Sequence, residues 1–197
     1  TTGGTFTSST GLTIDPTSGL IDLTASTLGN YDVNYNLPSN FNQMGVDLDG
    51  YTNDDRFGTS VALNKAGDVM VVGAQLNDAS GSNAGQVRVY SWNGTAWSQL
   101  GDSINGEGGD DRFGYSVSIN GAGDRIVVGA VHNDAGSVVD NLNGTFSYTT
   151  PISKAGHARI YSYNNGVWTQ LGSDINGDAV NDKLGYSVDM NEAGDRV

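Results

Sequence analysis

No cysteine occurs in the 197 residues, which excludes disulfide staples, thiolate metal sites and a cysteine nucleophile together. Cations are scarce as well: 9 Lys and Arg stand against 22 Asp and Glu, a formal net charge of −13. Such a surface repels phosphate backbones and anionic lipid and argues against nucleic acid as a partner. Long apolar runs are missing. The strongest, Ile126-Val127-Val128-Gly129-Ala130-Val131, falls far short of the roughly 20 residues of a spanning helix, so membrane insertion is not expected. No window carries a sustained apolar stripe of period 3.6, which excludes a long amphipathic helix. What is abundant is glycine, 29 residues, with no Gly-X-Y period, so many short turns are expected. Hydrophobic content of 37% is enough for a packed core. The opening Thr1-Thr2-Gly3-Gly4 shows neither Met nor an apolar signal core, and a targeting peptide is expected to be cleaved or outside this stretch. The acidic, cysteine-free, Thr/Asn/Gly-rich composition points to a secreted, extracellular bacterial surface protein.

Self-similarity organises the chain. Asp54-Asp55-Arg56-Phe57-Gly58-Thr59-Ser60-Val61 returns as Asp110-Asp111-Arg112-Phe113-Gly114-Tyr115-Ser116-Val117, and residues 54–78 and 110–134 share 17 of 25 positions. A third copy reads Asn181-Asp182-Lys183-Leu184-Gly185-Tyr186-Ser187-Val188. The shifts are 56 and 71, so 15 extra residues enter the second unit, around 138–152. Each unit reads as four short strands: about 58–63, 69–74, 86–91 and 96–100 in the first copy. In Gln86-Val87-Arg88-Val89-Tyr90-Ser91, β-branched residues alternate with polar or amphipathic ones. Six Asn-Gly pairs, at 93, 105, 120, 143, 165 and 176, predict two-residue hairpin turns and antiparallel sheet. Backwards by 56, Trp97 and Gln99-Leu100-Gly101 map onto Phe41 and Gln43-Met44-Gly45, so the repeats begin near residue 40 with the last strand of a preceding unit. The third copy stops inside its second strand, which leads us to expect a piece of a longer protein, or missing strands supplied by other copies. Residues 1–36 follow another pattern, with strands expected around 11–14, 20–22 and 29–35 and a turn opened by Asp15-Pro16 and closed by Gly19.

The linked motifs Phe113-Gly114-Tyr115-Ser116-Val117, Gly123-Asp124-Arg125-Ile126-Val127-Val128-Gly129-Ala130, Gly156-His157-Ala158-Arg159-Ile160-Tyr161 and Trp168-Thr169-Gln170-Leu171-Gly172 resemble the FG-GAP repeat of integrin-α-like β-propellers and many bacterial surface proteins. The resemblance implies an all-β fold in which residues 37–197 form four-stranded antiparallel blades of a partial β-propeller, a fold that closes with four to eight blades. Residues 1–36 resemble the later part of an immunoglobulin-like repeat, a β-sandwich module of large bacterial adhesins. Together they imply a non-catalytic module of a secreted cell-surface adhesin, of the kind that Bacteroidetes export by the type IX system for gliding and attachment. Its partners would be a cell-surface protein or glycan, neighbouring domains of the same protein, or other copies completing the propeller.

No cofactor is expected, with calcium the one ion considered. The resemblance places calcium in the loop between the first and second strands, but Asn64–Asp68, Asn120–Asp124 and Asn191–Asp195 lack most of the oxygen ligands, so a Gly turn capped by Asp is expected there. Asp47-Leu48-Asp49-Gly50 and Asp174-Ile175-Asn176-Gly177-Asp178 alternate oxygen ligands before a glycine. Asp47, Asp49, Asp174, Asn176 and Asp178 are therefore the candidate calcium ligands, weighed against a solvated turn. Asp55, Asp111 and Asp182, each beside a base, are expected to fix interblade geometry by hydrogen bonds. His132 and His157 align with Leu76 and Gln86, do not recur, and read as isolated surface histidines. Trp97, Trp168, Tyr90 and Tyr161 read as interblade packing. Trp92 and Tyr163 are the candidate sugar-stacking residues of the alternative reading, a propeller lectin. The 138–152 insertion is the expected site of partner contact.

Overall fold

The computed structural model describes residues 5–36, 43–135, 138–140, 146–148 and 151–197. It is all-β, with no helix among those residues. Two compact units divide at Met44/Gly45.

In the first unit β1 (Thr5–Ser8) pairs antiparallel with β2 (Val33–Asn36). The Asp-Pro turn forms as expected: Asp15 Oδ1 accepts from the Thr17 and Ser18 amides, and Gly19 closes the turn at φ +73°. Its flanks differ from expectation, because they meet in a single bridge, Ile14 to Ile21, instead of two strands. Of residues 29–35 only the end is strand. Hydroxyl and carboxylate side chains compete for the backbone here: Asp22 Oδ1 takes the amides of Thr24 and Ala25, which folds that stretch into turns.

The second unit is built from blades. The first comprises β3 (Phe57–Leu63), β4 (Val69–Ala74), β5 (Gln86–Trp92) and β6 (Trp97–Gln99) in the order β3-β4-β5-β6, with β7 (Ile104–Asn105) also pairing β5. The second comprises β8 (Phe113–Ile119), β9 (Arg125–Ala130), β12 (His157–Asn164) and β13 (Val167–Asn176), all antiparallel neighbours. Between β9 and β12 the insertion carries its own hairpin, β10 (Val138–Asp140) with β11 (Phe146–Tyr148). Phe41 and the remainder of the insertion up to residue 150 lie outside the described residues. The third copy docks without becoming a named strand: Leu184 bridges Gly156 in parallel, as Phe113 bridges Gly85, and Met190 packs on Val127 and Ala158.

Glycine makes the docking possible. A Cβ on Gly73 would stand 2.1 Å from the Gly114 carbonyl oxygen, and one on Gly129 would stand 2.0 Å from that of Gly185. Beside these contacts Ser60 Oγ donates to Gly114 O (2.8 Å) and Ser116 Oγ to Gly185 O (2.7 Å). The outer strands repeat the device with aromatics: Trp168 is buried, and its indole N–H donates to Leu100 O of the preceding blade (2.8 Å). Phe57 meets Tyr90, and Phe113 meets Tyr161, edge to face within each blade.

Among the described Asn-Gly pairs one forms the expected two-residue hairpin: Asn165-Gly166 (φ +50° and +89°) joins Asn164 to Val167. Asn93-Gly94 lies in a four-residue turn in which Asn93 Oδ1 accepts from Thr95 and Ala96. At Asn105-Gly106 and Asn176-Gly177 the glycine serves close approach, since a Cβ would meet the Ala84 or Ala155 carbonyl at 2.1 Å. At Asn120 the positive φ falls on Gly123, not Gly121, and the pair at 143 lies outside the described residues.

Candidate functional site

Each unit is led in by a loop of unusual backbone. Positive φ falls on alternate residues: Asp54, Arg56 and Gly58; Asp110, Arg112 and Gly114; Asn181, Lys183 and Gly185. The alternation turns the middle carboxylate inward, leaving Asp55 and Asp111 buried. Asp55 Oδ2 accepts from Asn77 Nδ2 (2.7 Å), and Asp111 Oδ2 from Asn133 Nδ2 (3.1 Å) and the Gly108 amide (2.9 Å). Hydrogen bonding by these aspartates is thus present, but it ties the lead-in to the connection after the second strand of the same blade, whereas an interblade role was expected. The adjacent base pairs elsewhere, Arg112 Nε lying 3.3 Å from Asp110 Oδ1. Asp182 accepts from the Asp178 and Ala179 amides.

Around the second lead-in opens a polar cleft of about 420 Å³. Asp110 is its hub: Oδ2 lies 3.3 Å from His132 Nδ1 and 3.9 Å from Lys154 Nζ. Burial pushes Asp110 up, but the hydrogen bonds from Arg112 and His132 outweigh it and hold the carboxyl below its ordinary range. His132 is pushed down by burial first and by Arg112 second. Asp111 is pushed up by burial, only partly offset by Asn133. The insertion leaves and returns on this rim: Asp134 and Ser153 line the cleft, and Ala135 and Ile152 close its neck by a bridge.

Behind Asn133 the network continues inward. Asn133 Nδ2 reaches Glu107 Oε1 (3.2 Å), and Glu107 Oε2 accepts from Arg159 Nη2 (2.5 Å). Arg159 also donates from Nε and Nη2 to the two oxygens of Asp174, both at 2.7 Å. That bond to Arg159 is the main cause of the lowered Asp174 pKa. Burial opposes the charge on Arg159, yet its bonds to Asp174 and Glu107 raise its pKa further. His157 lies beneath, fully buried, its pKa pushed down to about 4 by burial and then by Arg159.

Residues 47–90 and 105–144 match the FG-GAP repeat. Both matches fall inside the second unit, spanning the lead-in and the first two strands of each blade and, in the first, most of β5. No curated protein matches the chain. The FG-GAP repeat occurs in adhesion-related propeller domains, and the four-stranded antiparallel blades agree with that fold.

Of the candidate calcium ligands, Asp47, Asp49, Asn176 and Asp178 are all exposed. Asp174 is turned to Arg159, Gln170 and His157, and among the described residues the acid-and-histidine group it joins is Glu107 with His157, not Asp178. The loops between first and second strands hold an asparagine where an ion was considered. Through Oδ1, Asn64 and Asn191 each accept two backbone amides and Asn120 three, and through Nδ2 they donate to Asp68, Asp195 and Asp124 respectively. The cap is therefore Asn, with Asp as its partner, a correction of the expected Asp cap.

Trp92 and Tyr163 are half-buried and stack on their cross-strand neighbours Trp97 and Trp168, with ring centroids 5.4 and 5.0 Å apart. A Cβ on Gly45 would lie 2.9 Å from the Trp92 ring, and one on Gly101 3.1 Å from Tyr163. Both rings are thus packing residues as well as sugar-stacking candidates. Neither histidine is at the surface as expected, since His132 and His157 are drawn in by the cleft and by β12. The missed signal was joint change: where the first unit has Tyr51, Gln86 and Ser103, the second has Glu107, His157 and Asp174.

Proposed function

We propose that the second unit is a non-catalytic attachment module of a secreted cell-surface protein, meeting a surface protein or glycan through the loops around the polar cleft. One observation supports this most: the single large departure from repeat regularity, the 138–152 insertion, springs from the rim of that cleft. Loops on a rigid β-scaffold are where recognition concentrates, and FG-GAP propeller domains are generally non-catalytic. The test replaces residues 136–150 by Gly-Ser and measures adhesion of the purified chain to cells and to glycan and protein arrays. Adhesion should fall with the circular dichroism spectrum unchanged, and undiminished adhesion would overturn the reading. Glycan binding lost in Trp92→Ala with the fold intact would move the assignment to a lectin.

A further inference from the structure

Ligand atoms of Glu107, His157 and Asp174 all lie within 4.8 Å of one another. Acidic groups often gather without an ion, so the imidazole decides. His157 is 1% exposed, and neither of its ring nitrogens has a hydrogen-bond partner. A neutral imidazole carries one N–H donor and one bare acceptor, and leaving both dry is costly. Its Nδ1 faces Asp174 Oδ2 at 3.9 Å, too long for a hydrogen bond. Two donors bound at about 2 Å to one ion stand roughly 3 to 4 Å apart. The Arg159 guanidinium already occupies the cationic position, its Nη2 bonded to Glu107 and Asp174 together.

We propose that Glu107, His157 and Asp174 form a site for a divalent transition-metal ion of the zinc or cobalt kind, for which the ion competes with the guanidinium of Arg159. One imidazole nitrogen beside two carboxylates suits such ions better than calcium or magnesium, which take oxygen alone. Two carboxylates balance a doubly charged ion once the guanidinium has swung aside. Glu107 is half-exposed, which gives both the ion and the displaced arginine a route to water. The first blade is an internal control, because Tyr51, Gln86 and Ser103 offer no comparable set of donors.

The test is titration of the whole chain with Co2+ and Zn2+. Co2+ should develop a visible absorption band that saturates at one ion per chain, and Zn2+ should shift the ring 15N resonances of His157. His157→Gln, which places the first unit's residue in the second, should weaken binding at least tenfold, and Arg159→Gln should tighten it several-fold. The absence of saturable one-to-one binding would overturn the proposal, as would binding unchanged in His157→Gln. An unmoved His157 resonance would do so in the wild-type chain, whatever the variants do to folding. Unchanged affinity in Arg159→Gln would overturn the competition.

Discussion

In the first blade Arg88 is 1% exposed and lies 3.4 Å from the centroid of the Tyr51 ring, with Phe57 beyond it at 5.1 Å. Its Nε donates to Gln86, while both terminal nitrogens lack hydrogen-bond partners. In the second blade Arg159, at the same repeat position, is held by three hydrogen bonds to two carboxylates. Glu107 stands where Tyr51 stood, and Asp174 where Ser103 stood. One backbone thus offers a buried arginine two environments, an aromatic face and an acid clamp. The strand and its docking glycines are common to both blades, and the polar filling is what varies.

The common part should be hardest to alter. Gly129→Ala drives a Cβ into the Gly185 carbonyl and should cost about 3 kcal/mol or more, read by urea denaturation. Gly67→Ala, with open space around it but φ +72°, should cost only about 1 kcal/mol. Equal losses would remove the docking argument. The two arginine environments come next. Asp174→Asn strips charge from the clamp and should cost about 2 kcal/mol, against about 1 kcal/mol for Tyr51→Leu under Arg88. The reverse order would show the aromatic face to be the stronger holder. Trp168→Phe removes the N–H donated to Leu100 and should cost about 1 kcal/mol with the fold kept.

The smallest effect is on pH dependence. The groups facing His132 are Asp110, Arg112 and Lys154. Its folded pKa lies below 6.5, so from that value downward the unfolded chain binds a proton that the folded chain does not, and stability falls with pH through this window. Asp110, with a lowered pKa, adds stability above pH 3.8 that is lost in more acidic solution as pH drops through its folded value. His132→Leu, which copies Leu76, should lessen the slope of a melting-temperature profile between pH 7.5 and 5, the remainder coming from His157, whose pKa is pushed down to about 4, and should leave the acid limb of Asp110. An unchanged profile would show that His132 is not its source.

Much of the fold was legible because the repeat declares it. The expected strand 69–74 coincides with β4, and β5 runs one residue past its expected end. Period-two alternation did not show that β5 is buried on both faces from Gln86 to Tyr90. The polar face of the strand is covered by Tyr51 and Phe57, which lie 39 and 33 positions before Tyr90, and alternation reports only local pattern. Asn-Gly misled for a related reason, since a glycine needed for an approaching carbonyl looks the same in sequence as one needed for a turn. The Glu107–His157–Asp174 group was hidden by separation across a blade and by the insertion, and comparison of the two units position by position was the only sequence signal for it.

The contact of Gly73 with Gly114, and of Gly129 with Gly185, is written almost entirely in backbone, with one serine hydroxyl beside it. Such a joint does not ask which side chains fill the blade on either side. Duplicated units remain interchangeable at their seams while the polar filling between the seams varies, so a second copy can trade an aromatic lining for an acid clamp without losing its place in the row.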